Sequence, residues 1–135
     1  HLGQIGYYEE GDRLVPTGQT EPFSLWATDN QQMVNWAIQA VKAAALPGAV
    51  VRNVDRPGVQ GRSQGPWFGM GGFARRLGLP AFGVMGLMGV YWAMSSRLDR
   101  LDPELFRGQV ATFVELTGRL MTADLRALRS PEAQA

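Results

Sequence analysis

The sequence predicts an α/β domain built on a mixed, largely parallel sheet flanked by helices. Three observations predict it. Short apolar runs of strand length alternate with longer segments of helical period. Gly, Pro, Asn and Asp cluster at the boundaries between them. Of 135 residues, 45% are hydrophobic, enough for one core. Residues 1–129 read as one domain or the C-terminal part of one, and 130–135 as a frayed tail.

Residues 2–8 read as an opening strand with Ile5 and Tyr7 on one face. Glu9, Glu10, Gly11 and Asp12 read as a turn. Residues 13–17 read as a short strand ending near Pro16 and Gly18, and 23–27 as another strand. Thr28, Asp29 and Asn30 then offer N-cap oxygens for a helix reaching about Leu46. Met33, Val34, Ala37, Ile38, Val41 and Ala45 recur at three- and four-residue steps, an apolar face that Pro47 and Gly48 terminate. Residues 49–54 read as a strand.

A polar loop covers 55–65. Pro66 suits the first turn of a helix carrying Trp67, Phe68, Met70 and Phe73. The glycines at 69, 71 and 72 weaken that helix by about 1 kcal/mol each against alanine. Residues 79–85 read as a buried strand and 86–97 as a loop. The apolar stretch 77–94 has the length of a membrane span, but its regular Gly and Pro favour a strand followed by a loop. Asp102 and Pro103 suit the N-cap and first residue of a last helix reaching about Leu128. Its inward residues are expected to be Phe106, Val110, Phe113, Val114, Leu116, Leu120, Met121 and Leu125, with Gly108 and Gly118 as soft points. Trp26, Trp36 and Trp67 read as anchors, and Met70, Met85, Met88 and Met94 as core filling.

The formal net charge is +1, from 13 basic and 12 acidic side chains. That balance provides no long-range field for nucleic acid or an anionic membrane. The absence of Cys excludes disulfides and thiolate metal sites. The one histidine is His1, so any Ser–His pair must use the first residue. Gly61-Arg62-Ser63-Gln64-Gly65 spells a nucleophile elbow, yet a polar loop separates Ser63 from the preceding strand, which favours a plain glycine loop. Arg62 suits a carboxylate contact, though a solvated arginine is commoner. Gly69-Met70-Gly71-Gly72 lacks the lysine of a phosphate loop. Glu9 and Glu10 are strand neighbours pointing to opposite faces, and Asp99 and Asp102 precede a helix that capping explains. No basic segment followed by an apolar run opens the chain, so no signal peptide is visible. Its first residues already read as a strand, so an N-terminal part is expected to be missing.

Residues 65–120 carry a family resemblance. Gly65-Pro66-Trp67-Phe68 opens a phenylalanine-bearing helix that leads into Gly78-Leu79-Pro80-Ala81 and a buried strand. Val90-Tyr91-Trp92 follows, then Leu98-Asp99-Arg100-Leu101-Asp102-Pro103-Glu104, then a long helix. This resembles the end of the zinc-dependent aminopeptidases, the family of bacterial secreted aminopeptidases, glutamate carboxypeptidase, and the catalytically dead transferrin receptor and nicastrin. The family has Gly-Ile-Pro-Ala before its strand, then Tyr-His, then a stretch like Asp-Thr-x-Asp-Lys-Leu-Asp.

The resemblance implies a zinc-exopeptidase-like fold, zinc in the intact domain, and peptide hydrolysis in a setting that is often extracytoplasmic. It also puts the loop containing Tyr91 and Trp92 at the substrate cleft, with Arg62 and Ser63 as further cleft candidates. The departures are specific. Aligned without gaps back from Leu98, the ligand histidine falls on Trp92 and the following aspartate on Ser96. If Gly3 takes the family's glycine, the metal carboxylate falls before His1, itself a weak ligand candidate, and the Glu-Glu pair of the general base falls further upstream. No zinc is therefore expected in this chain alone. The implied partners are a peptide or small-molecule ligand and a missing N-terminal half or another chain, with no nucleic acid and no membrane span. The alternative is a pseudopeptidase that keeps the fold for binding or assembly.

Overall fold

A computed structural model describes Gly3 and residues 5–20, 23–53, 70–86 and 101–129. Strands β1 (Ile5–Glu10) and β2 (Arg13–Thr20) form an antiparallel hairpin. Strand β3 (Phe23–Ala27), helix α1 (Gln31–Ala43) and strand β4 (Ala49–Asn53) form a parallel β-α-β unit. Helix α2 (Met70–Arg76) leads to β5 (Phe82–Gly86), and α3 (Pro103–Thr122) follows. The three-stranded sheet runs in the order β4-β3-β5, with β5 antiparallel to β3. The sheet is therefore mixed, with only one of its two strand pairings parallel.

The hairpin turn is shorter than the sequence suggests. Glu9 and Glu10 belong to β1, and Glu10 pairs with Arg13 across a two-residue turn. Gly11 sits there at φ 58, the left-handed value that primed hairpin turns demand at their first central position. Pro16 and Gly18 do not end β2. The register slips between Ile5 and Tyr7, which pair with Thr20 and Pro16, so the breakers appear as a bulge inside a longer strand.

Helix α1 starts at its Asn30 cap, whose Oδ1 accepts from the backbone N–H of Gln32 at 3.0 Å and Met33 at 3.4 Å. Its end lies before Pro47 and Gly48. Leu46 N–H donates to the Val41 carbonyl at 3.3 Å and Ala45 N–H to that of Lys42 at 3.1 Å, the paired bonds of a Schellman motif. Ala45 occupies the left-handed position at φ 47. Having closed the helix there, the chain uses Pro47 and Gly48 to turn into β4. Met33, Val34, Ala37 and Ala40 are buried, whereas Ile38 and Ala45, expected on the apolar face, are exposed.

Phe23, Leu25 and Ala27 on one face of β3 form the core with α1, Leu105 and Leu116 of α3, and Leu128. Asp102 caps α3 as expected, accepting from Glu104 N–H at 2.8 Å and Leu105 N–H at 3.1 Å. The helix stops at Thr122, and the turn after it returns Leu128 to the core at 1% exposure. The buried face of α3 is Leu105, Gln109, Thr112 and Leu116. Of the residues expected inward, Phe106, Val114, Met121 and Leu125 are exposed.

Two polar residues turn inward because their polar atoms are satisfied there. Gln109 Oε1 accepts from Gly3 N–H at 2.7 Å, and Thr112 Oγ1 donates to the Gly108 carbonyl at 3.0 Å. Gly3 also accepts from Asp102 N–H at 2.8 Å. A Cβ on Gly3 would stand 2.7 Å from Phe106 Cβ, and its φ is 74. Met70 and Phe73 of α2 are exposed rather than core, Met70 at 79%. No helix among the described residues is long and apolar enough to cross a membrane, and residues 82–86 of the apolar stretch are strand.

Two substitutions test these backbone assignments by urea denaturation. Gly3→Ala is expected to destabilise by roughly 1–3 kcal/mol, from a left-handed φ and a clash together. Ala45→Gly is expected to stabilise by about 0.5–1 kcal/mol, because relief of the left-handed Cβ penalty exceeds the added chain entropy at an exposed position. Equal midpoints for Ala45→Gly and the unaltered chain would remove the helix-end assignment.

Candidate functional site

Parallel β-α-β units gather ligands beyond the carboxyl ends of their strands. In this sheet that edge holds Ala27 of β3 and Asn53 of β4. Thr28, 5% exposed, organises it. Its backbone N–H donates to the Ala81 carbonyl at 3.1 Å, and its Oγ1 accepts from Ala81 N–H at 2.9 Å and bonds the same carbonyl at 3.3 Å. The segment Gly78-Leu79-Pro80-Ala81 is thus tied to the end of β3 before it enters β5. Between its own N–H and its hydroxyl, Thr28 satisfies both backbone polar groups of Ala81, the residue that follows Pro80.

Because β5 is antiparallel to β3, Phe82 lies beside Ala27 and Gly86 beside Phe23. The carboxyl end of β5, at Gly86, therefore lies at the sheet edge that carries the amino ends of β3 and β4. The placement of the loop containing Tyr91 and Trp92 at a substrate cleft rests on the family resemblance alone. Tyr91, Trp92, Arg62, Ser63 and His1 all lie outside the described residues, as do Trp67, Met88, Met94 and Asp99.

The face of β3 opposite the helices carries Ser24 and Trp26, both buried. Arg52 on β4 donates its Nε–H to Ser24 Oγ at 3.0 Å. Trp26 Nε1–H is buried with no acceptor, the one such side-chain atom among the described residues. An orphaned donor of this kind costs about 1–3 kcal/mol.

A second polar constellation lies between the start of α1 and the end of α3, around a cleft of about 320 Å³. Trp36 forms one wall, with the Arg119 guanidinium carbon 5.8 Å from its ring centroid. Arg119 Nη1 donates to Gln39 Oε1 at 2.9 Å and Nη2 to Glu115 Oε1 at 2.7 Å. Gln32, Thr122, Asp124 and Leu128 complete the cleft. Below it, Asn30 Nδ2 donates to the carbonyls of Ala127 at 2.9 Å and Arg129 at 3.4 Å, locking the last turn onto the cap of α1. Sequence reasoning placed Trp36 as an anchor and did not connect it with Arg119. Separated by 83 residues, they share no local periodicity that could join them.

Among the described residues no donor set for zinc is gathered. The chain has one histidine and no cysteine, and no three His, Cys, Asp or Glu residues cluster among the described residues. Trp92, onto which the resemblance would put a ligand histidine, has an indole with no lone pair for a metal. No family model matches this chain, and no curated protein or solved structure does either.

Thr28→Val tests the clasp at the end of β3. The change is nearly isosteric but leaves Ala81 N–H without its hydroxyl acceptor, so a loss of about 1–3 kcal/mol is expected in denaturant unfolding. Hydrogen exchange at Ala81 should rise in the variant, and unchanged protection there would show that the clasp is not formed.

Proposed function

We propose that this chain is the C-terminal portion of a zinc-aminopeptidase-like domain, of the class that hydrolyses peptides from a chain end, with the metal-holding residues outside it. The observation that carries the reading is the ordered run of motifs from residue 65 to 120. Its support in the fold is positional. Helix α2 precedes Gly78-Leu79-Pro80-Ala81, that segment enters β5, and Asp102-Pro103 opens the twenty-residue α3. Zinc hydrolysis takes about three protein ligands and an open position for water, which these residues do not supply. The role left to the chain is to complete the sheet and border a cleft for a peptide or small molecule.

A second reading is a non-catalytic pseudopeptidase acting as a binding or assembly module. Trp92 favours it, because an indole has no lone pair for a metal and so removes one of the ligands the family would supply. The two readings part on the coding sequence before His1. A His-x-Asp followed by Glu-Glu there carries the exopeptidase, and its absence carries the pseudopeptidase.

The chain itself, incubated with excess zinc and dialysed, is expected to retain far less than about one zinc per chain and to leave leucyl arylamides unhydrolysed. Trp92→His alone is expected to change neither result, since the carboxylate ligands are still required. A stoichiometric zinc lost on replacing His1 would refute the metal assignment. So would hydrolysis by the unaltered chain that disappears when Tyr91 or Trp92 is replaced.

A further inference from the structure

The cleft between α1 and α3 has a chemistry that the peptidase reading does not use. Its floor is apolar, with Leu128 at 1% exposure. Arg119 is held in place on one side by Gln39 and Glu115 and lies over the Trp36 ring. A guanidinium carries five N–H donors, and these two bonds leave three of them without a protein partner. Its side chain is 30% exposed and lines the cleft. On another side stands Asp124. One of its carboxylate oxygens accepts from Arg126 N–H at 3.0 Å, and the other is unengaged. At about 320 Å³ the cleft is at the small end of ligand sites.

Charge complementarity selects the ligand. A simple anion meets Asp124 and finds Arg119 already half neutralised by Glu115. A simple cation meets Arg119. A molecule bearing both a carboxylate and an ammonium uses the free donors of Arg119 and the free oxygen of Asp124 at once, and an apolar side chain covers the Leu128 floor. The fork of Arg119 matches a carboxylate bidentately, and its position is fixed before binding, which lowers the ordering cost. We infer that this cleft binds a small zwitterion of the amino-acid type, a free α-amino acid or a dipeptide with an apolar side chain. The inference stands independently of the peptidase proposal.

Calorimetric titration of the whole chain tests it with four probes: L-leucine, glycyl-L-leucine, N-acetyl-L-leucine and L-leucinamide. At least one of the two zwitterions is expected to bind saturably at one site, and the tighter of them identifies the source. Removing either charge is expected to weaken binding tenfold or more, about 1.4 kcal/mol per charge. Asp124→Asn keeps an oxygen for Arg126 N–H and removes the charge. Arg119→Lys keeps the charge and removes the fork. Both are expected to weaken the zwitterion at least tenfold, with circular dichroism confirming that each variant is folded. Saturable binding by neither zwitterion, equal binding of the capped analogues, or undiminished binding to Asp124→Asn overturns the inference. Should a variant fail to fold, the four probes on the unaltered chain still decide it.

Discussion

Strand β3 must satisfy its backbone on both sides while burying both of its faces. All five residues from Phe23 to Ala27 are buried, so none of their peptide groups can rely on water. Strand β4 takes one side in parallel and β5 the other in antiparallel register. The two ends are closed by contacts from distant loops: Phe23 N–H donates to the Gly48 carbonyl at 3.1 Å, and Thr28 binds Ala81 on both its polar groups. Helix α1 spans the distance between the parallel strands, and α3 covers the same face. Strands β4 and β5 and helices α1 and α3 are where they are because β3 needs partners there.

The helix layer follows a second rule, that polar groups enter a core only when paired. Gln109 and Thr112 face inward on α3 because each has a hydrogen-bond partner. That leaves Phe106, Val114 and Met121 outside. Trp26 departs from the rule, its Nε1–H buried and unbonded on the other sheet face. Between the helices, Trp36 and Arg119 make the contact that shapes the cleft. A cation held over an indole and fixed by two hydrogen bonds is a preorganised group with donors to spare.

Function in this chain divides into what its motifs resemble and what its donors allow. The proposed exopeptidase reading rests on the run from Gly65 to Leu120, while the chain offers one histidine, no cysteine and otherwise only carboxylates as zinc donors. A fold of this class serves catalysis and plain binding alike, so the residues of each site carry the argument. The cleft at Trp36, Arg119 and Asp124 needs no metal to have a function.

Local chemistry made much of the fold legible. The sequence alone determined the α/β class, strands β3 and β4, a cap for α1 among Thr28, Asp29 and Asn30, and the Asp102 cap with Pro103. Each depends on neighbours within a few residues: an apolar run, a side-chain oxygen two residues from an N–H, a ring that fixes φ. Tertiary structure decided the rest. It set β5 antiparallel, which moved its carboxyl end to the opposite sheet edge from those of β3 and β4. It rotated α3 onto Gln109 and Thr112, since only Gly3, over a hundred residues away, makes that glutamine a core residue. It closed α1 at Ala43 through Ala45, and it brought Trp36 to Arg119. These outcomes depend on partners remote in sequence, and pairing free energies between distant segments leave no trace in local periodicity.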